Sequence, residues 1–133
     1  VGAVDEDYRL VFAELVLPVL RQFAPDVVLV SAGFDAHERD PLGGMRLTTP
    51  AFAAMTAELC RVADECARGG LVLVVEGGYD LQAFDDSLSA VVDVLASDGP
   101  VPATWPAPGA VAPTRARTTI AQARQHLGKY WKI

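Results

Sequence analysis

At 133 residues the chain is one domain or part of one, long enough to bury roughly two-thirds of its unfolded surface. Half of it is hydrophobic (51%), 21% is charged, and 11 basic against 17 acidic residues leave a net charge of −6, which excludes a disordered tail and disfavours nucleic acid or an anionic membrane as main partner. No apolar run reaches the ~20 residues that span a bilayer and no signal-peptide series opens the chain, so a soluble cytoplasmic setting is expected.

The first element is helical. Tyr8, Val11, Phe12, Leu15, Val19 and Phe23 keep the 3.6-residue period, and further apolar residues between them predict a helix buried on most sides. Asp5, Glu6 and Asp7 sit where negative charge complements the helix dipole, and Pro18 should kink or split the axis. Val27 to Val30 then form a β-branched run without polar alternation, the pattern of a parallel strand covered on both faces. A connection over residues 31–49 follows, far longer than an ordinary βα loop and therefore a candidate functional segment.

Thr49 as N-cap, Pro50 at the first helical position and Gly69 as stop punctuate the next helix, with Phe52, Met55, Leu59, Val62 and Cys66 as its core stripe. Cys60 and Cys66 lie roughly 9 Å apart along that helix, too far for a disulfide, and read as reduced core or groove fillers. Leu71–Val75 is a second apolar strand. The loop 76–80 leads to a helix over about 81–96, with Leu81, Phe84, Leu88, Val91 and Leu95 inward. Strand, loop, helix, strand, loop, helix is a βαβα unit of a parallel α/β sheet, whose chemistry belongs at the carboxyl ends of the strands. Both loops lie at those ends and should share one rim.

Residues 97–113 are rich in Pro, Gly and Ala and predict an irregular surface crossing pinned by Trp105. Thr118 or Thr119 then caps a last amphipathic helix carrying Ile120, Ala123, Leu127 and Trp131. The chain so divides into a helix plus βαβα unit (1–96), a surface segment (97–113) and a terminal helix (114–133). Its start at Val1, without methionine, suggests a piece of something longer.

Two loops could carry chemistry. Ser31 to Gly44 places Asp35 and His37 two residues apart beyond a strand; in extended conformation both side chains project to one side, and oxygen with nitrogen suits zinc or a related ion. Alternatively Asp35 caps the loop and His37 is an exposed loop residue. In Glu76-Gly77-Gly78-Tyr79 the glycines leave room for a ligand, and the tyrosine either donates a hydrogen bond to an oxyanion or packs at a tight turn.

Taken together, Ser31–Gly44 and Glu76–Leu81 resemble the zinc-dependent histone deacetylase and acetylpolyamine amidohydrolase family, in its class II and bacterial members. Gly2-x-x-Asp5-x-Asp7-Tyr8, Val16-x-Pro18, Pro25-Asp26 and the terminal Tyr130-Trp131 extend the likeness over nearly the whole chain. The resemblance implies a three-layer α/β/α arginase-like fold, of which this is the C-terminal portion, and hydrolysis of N-acetyl amides on lysine or polyamines. By the same resemblance Asp35 matches a zinc ligand, Tyr79 the tyrosine that polarises the acetyl carbonyl and stabilises the oxyanion, Leu42 a wall of the acyl-lysine tunnel, and Gly77 and Gly78 the glycine pair of its floor. His37 falls at a variable position of the family and is not carried over as a ligand. Tyrosine rather than histidine at 79 favours deacetylase chemistry over the weakly active class IIa pattern.

The family's Asp-x-His ligands and tandem histidines have no match here: the chain has only His37 and His126. A catalytic zinc takes about three protein ligands, so the remaining ligands are expected upstream, in a missing N-terminal part of the domain, and the fragment alone is expected to be inactive, with one apolar sheet face exposed. A non-catalytic binding module is the alternative. A two-manganese ureohydrolase-like enzyme is a third reading, disfavoured because its Asp-x-Asp is Asp-x-His here.

Overall fold

Helical structure begins at Asp5 and runs to Phe23 in three pieces: α1 (Asp5–Val11), a π-helical turn (Phe12–Val16) and α2 (Leu17–Phe23). The Leu17 N–H donates to the Phe12 carbonyl five residues back. Pro18 explains the widened turn. It has no N–H, and its ring clashes with the carbonyl four residues earlier in a regular α-helix; one π turn just before it absorbs the misfit. The expected kink is therefore a bulge. Ala24, in the left-handed region at φ 49°, ends α2.

The computed structural model describes residues 1–109 and 112–133; Ala110 and Val111, inside the expected surface crossing, lie outside the described residues. β1 (Val28–Ala32) and β2 (Leu71–Val75) pair in parallel, Val28 opposite Leu71 through Ala32 opposite Val75, joined by α3 (Thr49–Cys66). The α/β architecture is as expected. Double coverage of the strands is absent among the described residues, and the exposed apolar sheet face expected of a partial domain is present: Val28 is buried and Val30 and Leu73 partly so, whereas Leu29 on the opposite face is 74% exposed, and Val72 and Val74 also face solvent. The strands are apolar on both faces because both faces suit burial, yet among the described residues only one is covered.

α4 (Leu81–Leu95) packs along α3. α3 buries Ala51, Ala54, Ala57 and Ala63 beside Phe52, Leu59 and Val62, and α4 buries Ala83, Ser87 and Val91. Of the stripe expected on α4, Phe84, Leu88 and Val91 pack in the main core, whereas Leu81 and Leu95 are exposed and the small residues Ala83 and Ser87 are buried instead. The main core cluster, Phe34, Leu47, Ala51, Phe52 and Val91, sits beneath the long 33–48 loop and the short 76–80 loop. Phe34 meets the Phe52 ring at 5.3 Å and the Phe84 ring edge-on at 5.5 Å. Trp105 stands edge-on to Phe12 at 6.0 Å, pinning the surface crossing as expected.

The terminal helix α5 (Thr114–Leu127) starts before the threonines expected to cap it. Its cap comes from α1. Buried Asp7 accepts the Ala116 N–H at 2.8 Å on one oxygen and the Val4 N–H at 3.1 Å on the other. Asp5 works similarly, accepting the Thr48 N–H at 2.9 Å and hydroxyl at 2.8 Å; Thr48 rather than Thr49 is thus the residue preceding α3. These acids do more than complement a dipole. Asp7→Ala is expected to cost about 2–3 kcal/mol, because a buried N–H is left without an acceptor, read as a lower denaturation midpoint with faster exchange at the Ala116 amide.

Candidate active site

The two loops meet at the carboxyl ends of the strands, as expected. The Phe34 N–H donates to the Gly77 carbonyl at 2.8 Å, and the Glu76 N–H to Ala32 at 3.1 Å. Farther out the Tyr79 N–H reaches Asp40 Oδ2 at 2.7 Å, and Arg39 pairs with Asp80 at 3.1 Å. Phe34, 3% exposed, anchors the first loop in the core and leaves Asp35 at the rim.

The Asp35 carboxylate is seated between two glycines. A Cβ on Gly77 would fall 2.6 Å from Oδ2, and one on Gly33 3.0 Å from Oδ1, so any other residue at 77 would displace the acid. Asp35 and Gly77 line a cavity of about 440 Å³ together with Tyr8, Phe34, Phe52 and Glu76. The loop's hydrogen bonds end on Asp40, Asp5, His37, Asp80 and the backbone; among the described residues none ends on the Asp35 carboxylate. Burial raises the Tyr8 phenol pKa, and the nearby Asp35 charge raises it further. Gly78 has φ +141°, and a Cβ there would meet the Phe84 ring at 2.7 Å, which explains glycine at this position.

His37 behaves differently from both readings of its spacing. It is buried, not an exposed loop residue, and it does not line the cavity that Asp35 lines. Its Nδ1 accepts the Arg39 N–H at 3.1 Å, and its ring lies parallel to Phe52 at 6.3 Å. Nε2 is 3.4 Å from the Thr49 hydroxyl, itself 3.2 Å from that of Ser87. The histidine ties the loop to α3 and α4. Among the described residues no three His, Cys, Asp or Glu side chains come together to hold a metal ion. The described residues therefore do not make a full zinc set by themselves, and Asp35 is a single carboxylate at the rim.

Tyr79 and Leu42 stand on the outer rim, 58% and 71% exposed, and neither lines the Asp35 cavity. Between them lies Asp40, which sequence reasoning passed over. Its Oδ1 accepts the Leu42 N–H at 2.8 Å and the Gly43 N–H at 2.9 Å, while Oδ2 takes Tyr79. Partial desolvation pushes its carboxyl pKa up, but the N–H donors of Tyr79, Leu42, Gly43 and Asp80 outweigh that and hold it below the ordinary aspartate value. The signal was local: Asp40-Pro41-Leu42-Gly43 is the sequence of an Asx turn.

Residues 1–95, which include both loops, match the family model described as the histone deacetylase domain. The chain belongs to the histone deacetylase family. It is 37% identical over 133 residues to histone deacetylase 18 of Arabidopsis thaliana, covering 98% of this chain and 18% of that protein. It is 43% identical over 91 residues to histone deacetylase 6 of Caenorhabditis elegans, covering 68% and 9% respectively. Its structure superposes on that of the histone deacetylase Clr3 with a TM-score of 0.82 at 34% identity, over 98% of this chain and 20% of that one. The parallel α/β fold is thus that of part of a histone deacetylase, and the chain spans only about a tenth to a fifth of the length of these curated relatives.

Proposed function

We propose that the chain is one part of a zinc-dependent deacetylase domain acting on N-acetyl amides of lysine or polyamines. The observation that carries this is the Asp35 carboxylate: it is held between Gly33 and Gly77 with no hydrogen-bond donor among the described residues, on the rim where the two family-matching loops are bonded together. Asp35 serves as one zinc ligand. The ion, when bound, supplies Lewis-acid polarisation of the acetyl carbonyl. Tyr79 donates its hydroxyl to the developing oxyanion, Leu42 lines the path of the acyl-lysine chain, and Gly77 and Gly78 keep the floor free of side chains. Since catalytic zinc takes about three protein ligands and the described residues offer one, the other ligands and the general base are assigned to another segment of the domain.

Calorimetric zinc titration tests the division of labour. These 133 residues alone are expected to show no sub-micromolar zinc binding. The same residues joined to a segment carrying Asp-x-His and His-His should bind zinc and release acetate from an acetyl-lysine peptide, with Asp35→Asn weakening both. Sub-micromolar binding by the 133 residues contradicts the one-ligand assignment. A joined domain that neither binds zinc nor releases acetate leaves a non-catalytic binding module.

A further inference from the structure

We propose that Asp40 is a positioning residue for Tyr79, fixing with one carboxylate both the backbone that presents the phenol and the turn that presents Leu42. The inference rests on the role given to Tyr79 above. β2 ends at Val75 and α4 begins at Leu81, so neither strand nor helix sets the conformation of residues 76–80. Gly78, at φ +141°, gives the segment freedom just before the tyrosine, and the mostly exposed ring of Tyr79 has little packing to hold it. What remains is the backbone. The Tyr79 N–H lies 2.7 Å from Asp40 Oδ2. One residue on, Asp80 accepts the Ala83 N–H at 2.8 Å and pairs with Arg39. Tyr79 is therefore held at its own amide and at the next residue, and both ties run to the Arg39-Asp40 pair.

The chemistry requires a carboxylate. Of the N–H groups facing the carboxylate, those of Leu42, Gly43 and Tyr79 lie at hydrogen-bond distance, 2.8, 2.9 and 2.7 Å, from its two oxygens. Asparagine has one acceptor oxygen and an NH₂, so at least one backbone N–H would face another donor.

The test is a double-mutant cycle in the intact deacetylase, measured as acetate release from an acetyl-lysine peptide with melting temperatures followed in parallel. Asp40→Asn is expected to lower kcat roughly 10- to 100-fold, since a misplacement of about 1 Å has that scale. In a Tyr79→Phe background the same change should cost no more than about twofold, because two residues acting through one group are not additive. Equal losses in both backgrounds overturn the proposal: Asp40 then supports the site by some other route. A Tyr79→Phe enzyme with unchanged turnover instead refutes the role of the tyrosine itself, seen directly in the single variant. If Asp40→Asn fails to fold, Asp40→Glu, which keeps the charge but moves the acceptors by one methylene, is run through the same cycle and judged by the same criterion.

Discussion

Tyr79→Phe, in a deacetylase domain containing these residues, is expected to lower the rate of acetate release by roughly 10²–10³-fold, the scale for loss of one oxyanion donor. The change removes a single hydroxyl from a ring that is 58% exposed. Substitutions at such positions usually stay within about 0.5 kcal/mol in stability. The backbone N–H that binds Asp40 at 2.7 Å is untouched, so the loop keeps its tie. A loss of rate with an unchanged melting temperature therefore reports chemistry rather than folding. The loss should fall mainly on kcat, because an interaction made only in the transition state leaves ground-state binding alone. Zinc content of the variant should equal that of the parent, since the metal ligand assigned to this chain is Asp35. Unchanged turnover with full zinc content would remove Tyr79 from the mechanism.

What the sequence made legible is what short-range physics decides. β2 appears over the residues expected, Leu71–Val75, because an all-apolar run bounded by Gly70 and Glu76 has few other uses. α3 begins within one residue of its Thr-Pro signal and ends before Gly69. β1 runs past its apolar run to Ala32, because Ser31 lies on the uncovered side, where polarity is tolerated. The misses share a different cause. The cap of α5 comes from Asp7, 109 residues away, and no local pattern at Thr118 or Thr119 could reveal it. In α4 the middle of the expected stripe, Phe84, Leu88 and Val91, faces the core, but its ends at Leu81 and Leu95 do not, and the buried Ala83 and Ser87 carry no hydrophobic-size signal. In the site, spacing alone paired Asp35 with His37, and the structure separates them: one lies against glycine backbone, the other stacks on Phe52. The family motif, rather than the spacing, pointed to Asp35 and Tyr79. Asp40 had a visible turn signal, but its bond to Tyr79 spans 39 residues and needs the fold to be seen.

Gly43→Ala is expected to be the most damaging small substitution in the chain, costing about 3 kcal/mol, the upper end for overpacking. Gly43 closes the Asp40 turn and is wedged against the loop that carries the candidate metal ligand. An ideal Cβ there would lie 1.6 Å from the Asp35 carbonyl oxygen and 2.6 Å from its carbon. Both neighbours are backbone, so no rotamer change relieves the overlap. Either the turn opens and releases the Leu42 and Gly43 N–H groups from Asp40, or Asp35 is driven from its seat beside Gly77. The adjacent glycine is the control. Gly44 has φ +63°, and its Cβ would touch only Val1 methyls at 3.6 and 3.9 Å, so Gly44→Ala carries the left-handed penalty alone, about 1–2 kcal/mol. Urea denaturation of the two variants separates backbone collision from backbone conformation. A Gly43→Ala protein that melts with or above Gly44→Ala would mean that residues 35 and 43 are not in contact. Where Gly43→Ala remains folded, its zinc affinity in the intact domain should fall while that of Gly44→Ala holds, since only the first displaces the residue bearing the carboxylate.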